Sequence, residues 1–190
     1  MPHIALPTPD PGIRGLLSFH PASGLRLSEL AEQLLRGESP LSVGERELIA
    51  AYVSSLNCTR YCAAAHGATA AHRLDGDFAL VDAVQNDLAT APVSDLMRAL
   101  LHLAGKVAES GLSVTEQDIA AARAVGADDT IIHDTVLIAS AFCMYNRYVD
   151  GLAALTPDDP ALYRMIGAHL SDHGYLPQPD EQPAQAVQPA

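Results

Sequence analysis

The chain has 190 residues, 48% of them hydrophobic, with no tryptophan and only three phenylalanines, which points to one domain with a core of Ala, Leu, Ile and Val. Eleven basic against twenty-three acidic residues leave a net charge of −12, a field that repels nucleic acid, and no local basic patch offsets it. No apolar run reaches membrane-spanning length, and no basic segment leads into an apolar one at the N-terminus, so neither a membrane span nor a signal peptide is expected and a cytoplasmic location is the default.

Residues 1–22 are proline-rich and are expected to form an irregular arm, with a helical domain over 23–176. Leu27, Leu30, Ala31, Leu34 and Leu35 make one apolar stripe at helical spacing, ended by Gly37. Ser42-Val-Gly-Glu45 is a capping-box pattern that opens a second helix through Leu48, Ile49, Tyr52 and Val53. A third helix is predicted over 59–74, closed by Asp75-Gly76, and shorter ones near 77–88 and 94–110. Thr115-Glu-Gln-Asp118 starts another, which Gly126 ends. The longest apolar run, 131–149, reads as a buried helix broken near Gly151. Thr156-Pro157 is read as an N-cap and first helical proline leading into Ala161 to Leu170. Residues 177–190 are mostly Pro, Gln and Ala and are expected to be disordered. No block of alternating β-branched residues occurs, so the class is all-α, a bundle of about seven or eight helices.

Reactive groups concentrate in one place. Cys58, Cys62 and His66 are spaced four residues apart, and on a helix Cys62 and His66 share a face one turn apart. A protonated imidazole and a helix N-terminus both stabilise a thiolate, so Cys62 is a candidate nucleophile; the plainer reading is a buried small hydrophobe. On a regular helix Cys58 and Cys62 would have Cβ atoms about 6 Å apart, against about 3.8 Å in a disulfide, so a bridge needs Cys58 outside the helix. Asn57 just before it is a candidate N-cap. Zinc is the competing use of the three residues, but no second Cys/His pair completes a site, and redox chemistry is preferred. His72, His102, His133, His169 and His173 are scattered and read as surface or capping residues, and Cys143 as core. No motif calls for a cofactor.

Glu47, fifteen residues before Cys62, with His66 following, resembles the signature of the alkylhydroperoxidase D-like (AhpD-like) branch of the carboxymuconolactone decarboxylase superfamily. That signature is Glu, eleven residues, Cys, two residues, Cys, three residues, His. Glu45-Arg-Glu-Leu-Ile-Ala50, Val53-Ser-Ser-Leu-Asn57, Phe142-Cys-Met-Tyr-Asn-Arg147, Asp150-Gly151 and Gly174-Tyr175 are similar to the peroxidase-related subgroup, which extends the resemblance over roughly residues 20–176. One position departs: the first family cysteine falls on Thr59, and Cys58 stands one residue earlier.

The resemblance implies a thiol-dependent peroxidase that reduces hydroperoxides with electrons from an unidentified thiol or disulfide reductant. Cys62 would be the attacking thiol, oxidised to sulfenic acid, and His66 would lower its pKa and shuttle protons. Glu47 would orient the imidazole, and Cys58 would resolve the sulfenate as a displaced substitute for the family's first cysteine. The resemblance also implies a homo-oligomer, a trimer or hexamer. A decarboxylase-type lyase on the same fold, and a non-catalytic oligomer that binds a ligand or metal through a degenerate motif, are the alternatives. Glu47 as mere support for its own helix beside Arg46, and Tyr61 as packing, are the bland readings of those two residues.

Overall fold

The computed structural model describes residues 1–177, which fold into nine α-helices and one 3-10 turn, with no strand among them. They are α1 Ile13–Phe19, α2 Pro21–Arg36, α3 Val43–Leu56, α4 Arg60–Arg73, α5 Phe78–Asn86, α6 Asp95–Glu109, α7 Glu116–Ala124, α8 Asp129–Gly151 and α9 Pro160–His173. The all-α expectation holds, with slightly more helices than expected. The tail predicted at 177–190 lies outside the described residues apart from Pro177.

α3 is the centre of the molecule. Its capping box forms as the sequence suggests: Ser42 Oγ accepts the Glu45 N–H while the Glu45 carboxylate accepts the Ser42 N–H. Leu48, Ile49, Ala50, Ala51 and Val53 are all almost wholly buried, so the helix presents apolar surface on every side and packs against α2, α4, α5, α6 and α8. α4 lies against α3 on one side and α9 on the other. Its alanines permit that close approach. At the α9 crossing, a Cβ on Gly167 would stand 2.6 Å from Ala68 Cβ, a clash that only glycine avoids.

Three expectations are corrected. The arm over 1–22 is irregular only as far as Gly12: α1 follows, and the boundary at residue 22 falls inside α2, whose Pro21 sits in the first turn after the His20 cap. The prolines masked an apolar spacing, for Leu16 is fully buried in a cluster with Tyr61 and Cys62. The last helix begins at Pro160 behind an Asp159 cap, not at Thr156-Pro157. Both dipeptides carry the same signal, and the second lies nearer the apolar period. α8 is amphipathic and not buried throughout, since Leu137 and Met144 are exposed on it. No helix of the described residues is long and apolar enough to cross a membrane.

Candidate active site

The α3–α4 junction decides the geometry of the cysteine row. Asn57 caps the C-terminus of α3, and is not the N-cap of α4. The Cys58 N–H donates to Ser55 O and the Thr59 N–H to Ser54 O, both at 3.0 Å, which is the hydrogen-bond pattern of a Schellman turn. Cys58 occupies the left-handed position of that turn, φ 58°, where glycine is usual. It therefore lies outside both helices, exposed, while Cys62 is only 3% exposed in the first turn of α4; all three cysteines are free. Thr59, fully buried, donates its hydroxyl to Asp150 Oδ2 near the end of α8.

Cys62 faces α8. A hydrogen bond joins its thiol to Asn146, whose Oδ1 accepts from Asn57 Nδ2 at 2.9 Å and whose Nδ2 donates to Ser54 Oγ at 3.0 Å. Burial pushes the thiol up to about 12; the Asn146 bond pulls it partly back, and the Asp150 charge adds to the rise. This corrects the expectation of a thiol acidified by its surroundings: the resting group is S–H. Beside it an open cleft is lined by Asn57, Asn146, Arg147, Asp150 and Gly151.

One turn on, His66 Nδ1 lies 2.8 Å from Glu47 Oε2. Glu47 is fully buried, and Arg36 from the end of α2 reaches its Oε1 at 2.7 Å. The Tyr175 hydroxyl donates to the same Oε1 at 2.5 Å. Burial alone would raise the Glu47 carboxyl, but the His66 hydrogen bond and charge, then Arg36 and Tyr175, outweigh it and hold it below 4.5. The carboxylate is ionised and saturated with donors. Phe142 of α8 meets the imidazole edge-on, ring centroids 4.6 Å apart.

Glu47 and His66 are thus brought together as the resemblance implied, with Cys62 a turn away on α4. Glu47 does more than support its own helix beside Arg46, which turns away to cap α2 through Leu34 O and Gly37 O. Tyr61 packs edge-on against Tyr163 at 5.8 Å. Among the described residues, no group of three His, Cys, Asp or Glu is placed to hold a metal ion. Arg36, Asn146 and Asp150 had no assigned role in the sequence. The signal was there for two of them: Asn146 and Asp150 are polar positions four residues apart on the face that an apolar helix turns inward or toward the α3–α4 turn.

The chain is all-helical, with Glu47 on α3 and Cys62 and His66 on the paired helix α4, and its likeness to two solved structures shows that it belongs to the AhpD-like family. It is 30% identical to an uncharacterized peroxidase-related protein from Silicibacter sp. TM1040, covering 81% of this chain and 78% of that one with a TM-score of 0.74. The AhpD core of an uncharacterized peroxidase-related protein from Ralstonia eutropha JMP134 is 26% identical, with 83% and 80% of the two chains covered and a TM-score of 0.74. No family model matches the chain, and no curated protein matches it.

Proposed function

We propose that this protein is a thiol-dependent peroxidase in which Cys62 attacks a hydroperoxide and the His66–Glu47 pair moves the protons. The observation that carries this reading is the 2.8 Å bond from His66 Nδ1 to Glu47 Oε2, one turn beyond Cys62 on α4. Because the Cys62 thiol is held protonated, a base must remove its proton as the peroxide arrives, and His66 is the base on the same helix face. The thiolate attacks one peroxide oxygen. The O–O bond breaks as the S–O bond forms, giving Cys62 sulfenic acid, and the leaving alkoxide takes the proton from His66. Asn146 supports the developing thiolate, and the cleft beside it admits the oxidant.

Cys58 is the resolving thiol in this scheme. Its thiol condenses with the sulfenic acid, releasing water, and an external dithiol reduces the resulting disulfide. Cys58 is exposed and Cys62 buried, so the bridge requires the Schellman turn to open, and the left-handed Cys58 is the point at which it is least stable. Self-association as a trimer or hexamer belongs to the same reading, and Leu137 and Met144, exposed seven residues apart on one face of α8, supply apolar contact surface for it.

Intact mass after treatment of the reduced protein with peroxide tests the cycle. Loss of two hydrogens in wild type, abolished in Cys62→Ser and in Cys58→Ser, is the expected result; an added oxygen that persists in Cys58→Ser identifies Cys58 as resolver. Unchanged mass with no peroxide consumed by wild type removes the proposal. One observation favours a second reading, a lyase of the decarboxylase type: the Arg36–Glu47–His66 cluster is a complete acid–base centre without any thiol. Release of carbon dioxide from a lactone acid by thiol-alkylated protein would select it.

A further inference from the structure

Tyr175 lies beyond the last helix and takes no part in the thiol steps, yet it touches both members of the acid–base pair. Gly174 ends α9 with φ 74° and passes so close to α2 that a Cβ there would stand 2.4 Å from Glu32 Oε2. The next N–H, that of Tyr175, donates to the same Glu32 oxygen at 2.7 Å. The phenol ring then carries the Arg36 guanidinium 5.0 Å from its centroid and lies nearly parallel to the imidazole, 17° between planes at 5.8 Å. Its oxygen is 2.5 Å from Glu47 Oε1 and 3.1 Å from His66 Nδ1.

Counting protons around His66 Nδ1 gives a single solution. The ionised Glu47 can only accept, so its Oε2 requires a proton on Nδ1. The phenol has one proton, and the shorter contact places it on Glu47 Oε1; toward His66 the phenol oxygen can only accept. Glu32 and Arg36 from α2, Glu47 from α3 and the Phe142 ring from α8 complete the surroundings, and none of them donates to Nδ1.

We propose that Tyr175 is a positioning residue: the strap after α9 docks its phenol so that Glu47 Oε1 is occupied, Oε2 faces His66, and the imidazole proton stays on Nδ1. Nε2 is thereby left as the unprotonated nitrogen available for proton transfer. The site is complete only with the strap in place. What Nε2 does rests on the peroxidase reading; where the imidazole proton sits does not.

The test combines a spectroscopic readout with a kinetic one on the full chain. Nitrogen NMR of labelled wild-type protein should show the neutral His66 protonated on Nδ1. Tyr175→Phe keeps the ring and should slow Cys62 oxidation by hydrogen peroxide about tenfold, the size of one hydrogen bond to a charged group. Tyr175→Ala should mix the two tautomers and lose more rate, and added p-cresol, but not toluene, should recover both. A wild-type His66 protonated on Nε2 overturns the proposal. So does a Tyr175→Ala protein with unchanged tautomer and unchanged rate. If wild type consumes no peroxide, the peroxidase reading falls, while the tautomer comparison between wild type, Tyr175→Ala and Tyr175→Ala with p-cresol still decides the role of Tyr175.

Discussion

Thr59 and Asp150 are joined by a hydrogen bond from the fully buried hydroxyl to the carboxylate, at the position where the family signature has its first cysteine. A threonine here ties the start of α4 to the end of α8, and α4 begins without a side-chain cap because its N-cap residue is engaged elsewhere. The second thiol of this chain is displaced by one residue and faces solvent.

Restoring the family spacing should therefore change the redox behaviour. Thr59→Cys combined with Cys58→Gly places a thiol three residues before Cys62 on the buried side of the turn. Peroxide should then yield an intramolecular disulfide faster than in wild type, read by quenched-flow mass analysis. Equal rates would mean that residue 59 does not face Cys62.

Cys58→Gly alone relieves a side chain held at φ 58° in the Schellman turn. Stability should rise by up to about 1 kcal/mol, since the thiol is exposed and contributes little packing. Urea unfolding measures it, and a fall in the midpoint would contradict the assignment of strain to this residue.

Asp150 adds to the elevation of the Cys62 thiol, whose pKa is pushed up to about 12 chiefly by burial. Asp150→Asn removes the charge and keeps an oxygen to accept from Thr59. Cys62 should then be alkylated several-fold faster at mildly alkaline pH, with Cys58 unaffected, as read by peptide mass mapping after pulsed iodoacetamide. Slower or unchanged alkylation of Cys62 would count against the contact.

Glu47 makes the fold sensitive to acid. Its carboxyl is held below the ordinary 4.5, so it contributes stability that is present above 4.5 and is lost as the pH falls through the lower folded value. Glu47→Gln leaves Arg36 without its buried partner and should cost about 3–5 kcal/mol at neutral pH. The difference from wild type should shrink on acidification, measured by thermal unfolding between neutral pH and pH 3. A constant difference would show that the Glu47 carboxyl titrates in the folded chain as it does in the unfolded one.

Much of this protein was legible from local patterns. The capping box at Ser42 forms as read, a helix starts after Thr115, and the apolar periods of α3, α6 and α8 lie where helices are found, because caps and helical faces are properties of residues a few positions apart. Cys62 and His66 were legible for a related reason, being one turn apart on a single helix, and Glu47 was legible through the resemblance to the family signature. α1 was hidden because prolines around it broke the pattern, although Leu16 is buried by distant residues.

Other features depend on residues far apart in the chain. Whether Cys62 is an acidic or a protonated thiol depends on how deeply α8 buries it and on where Asp150 falls, and the protein interior raises the thiol where local position alone suggested lowering. The partners of Glu47 come from α2, α4 and the strap after α9, so Arg36 and Tyr175 join the site only when those elements dock. By itself the sequence determined most of the helices, since caps and apolar periods follow from short-range spacing, and its resemblance to the family singled out Glu47, Cys62 and His66 as candidates. Which charges and protons meet was left to the tertiary structure, because hydrogen bonds and desolvation act across a few ångströms between elements that the chain order does not bring together.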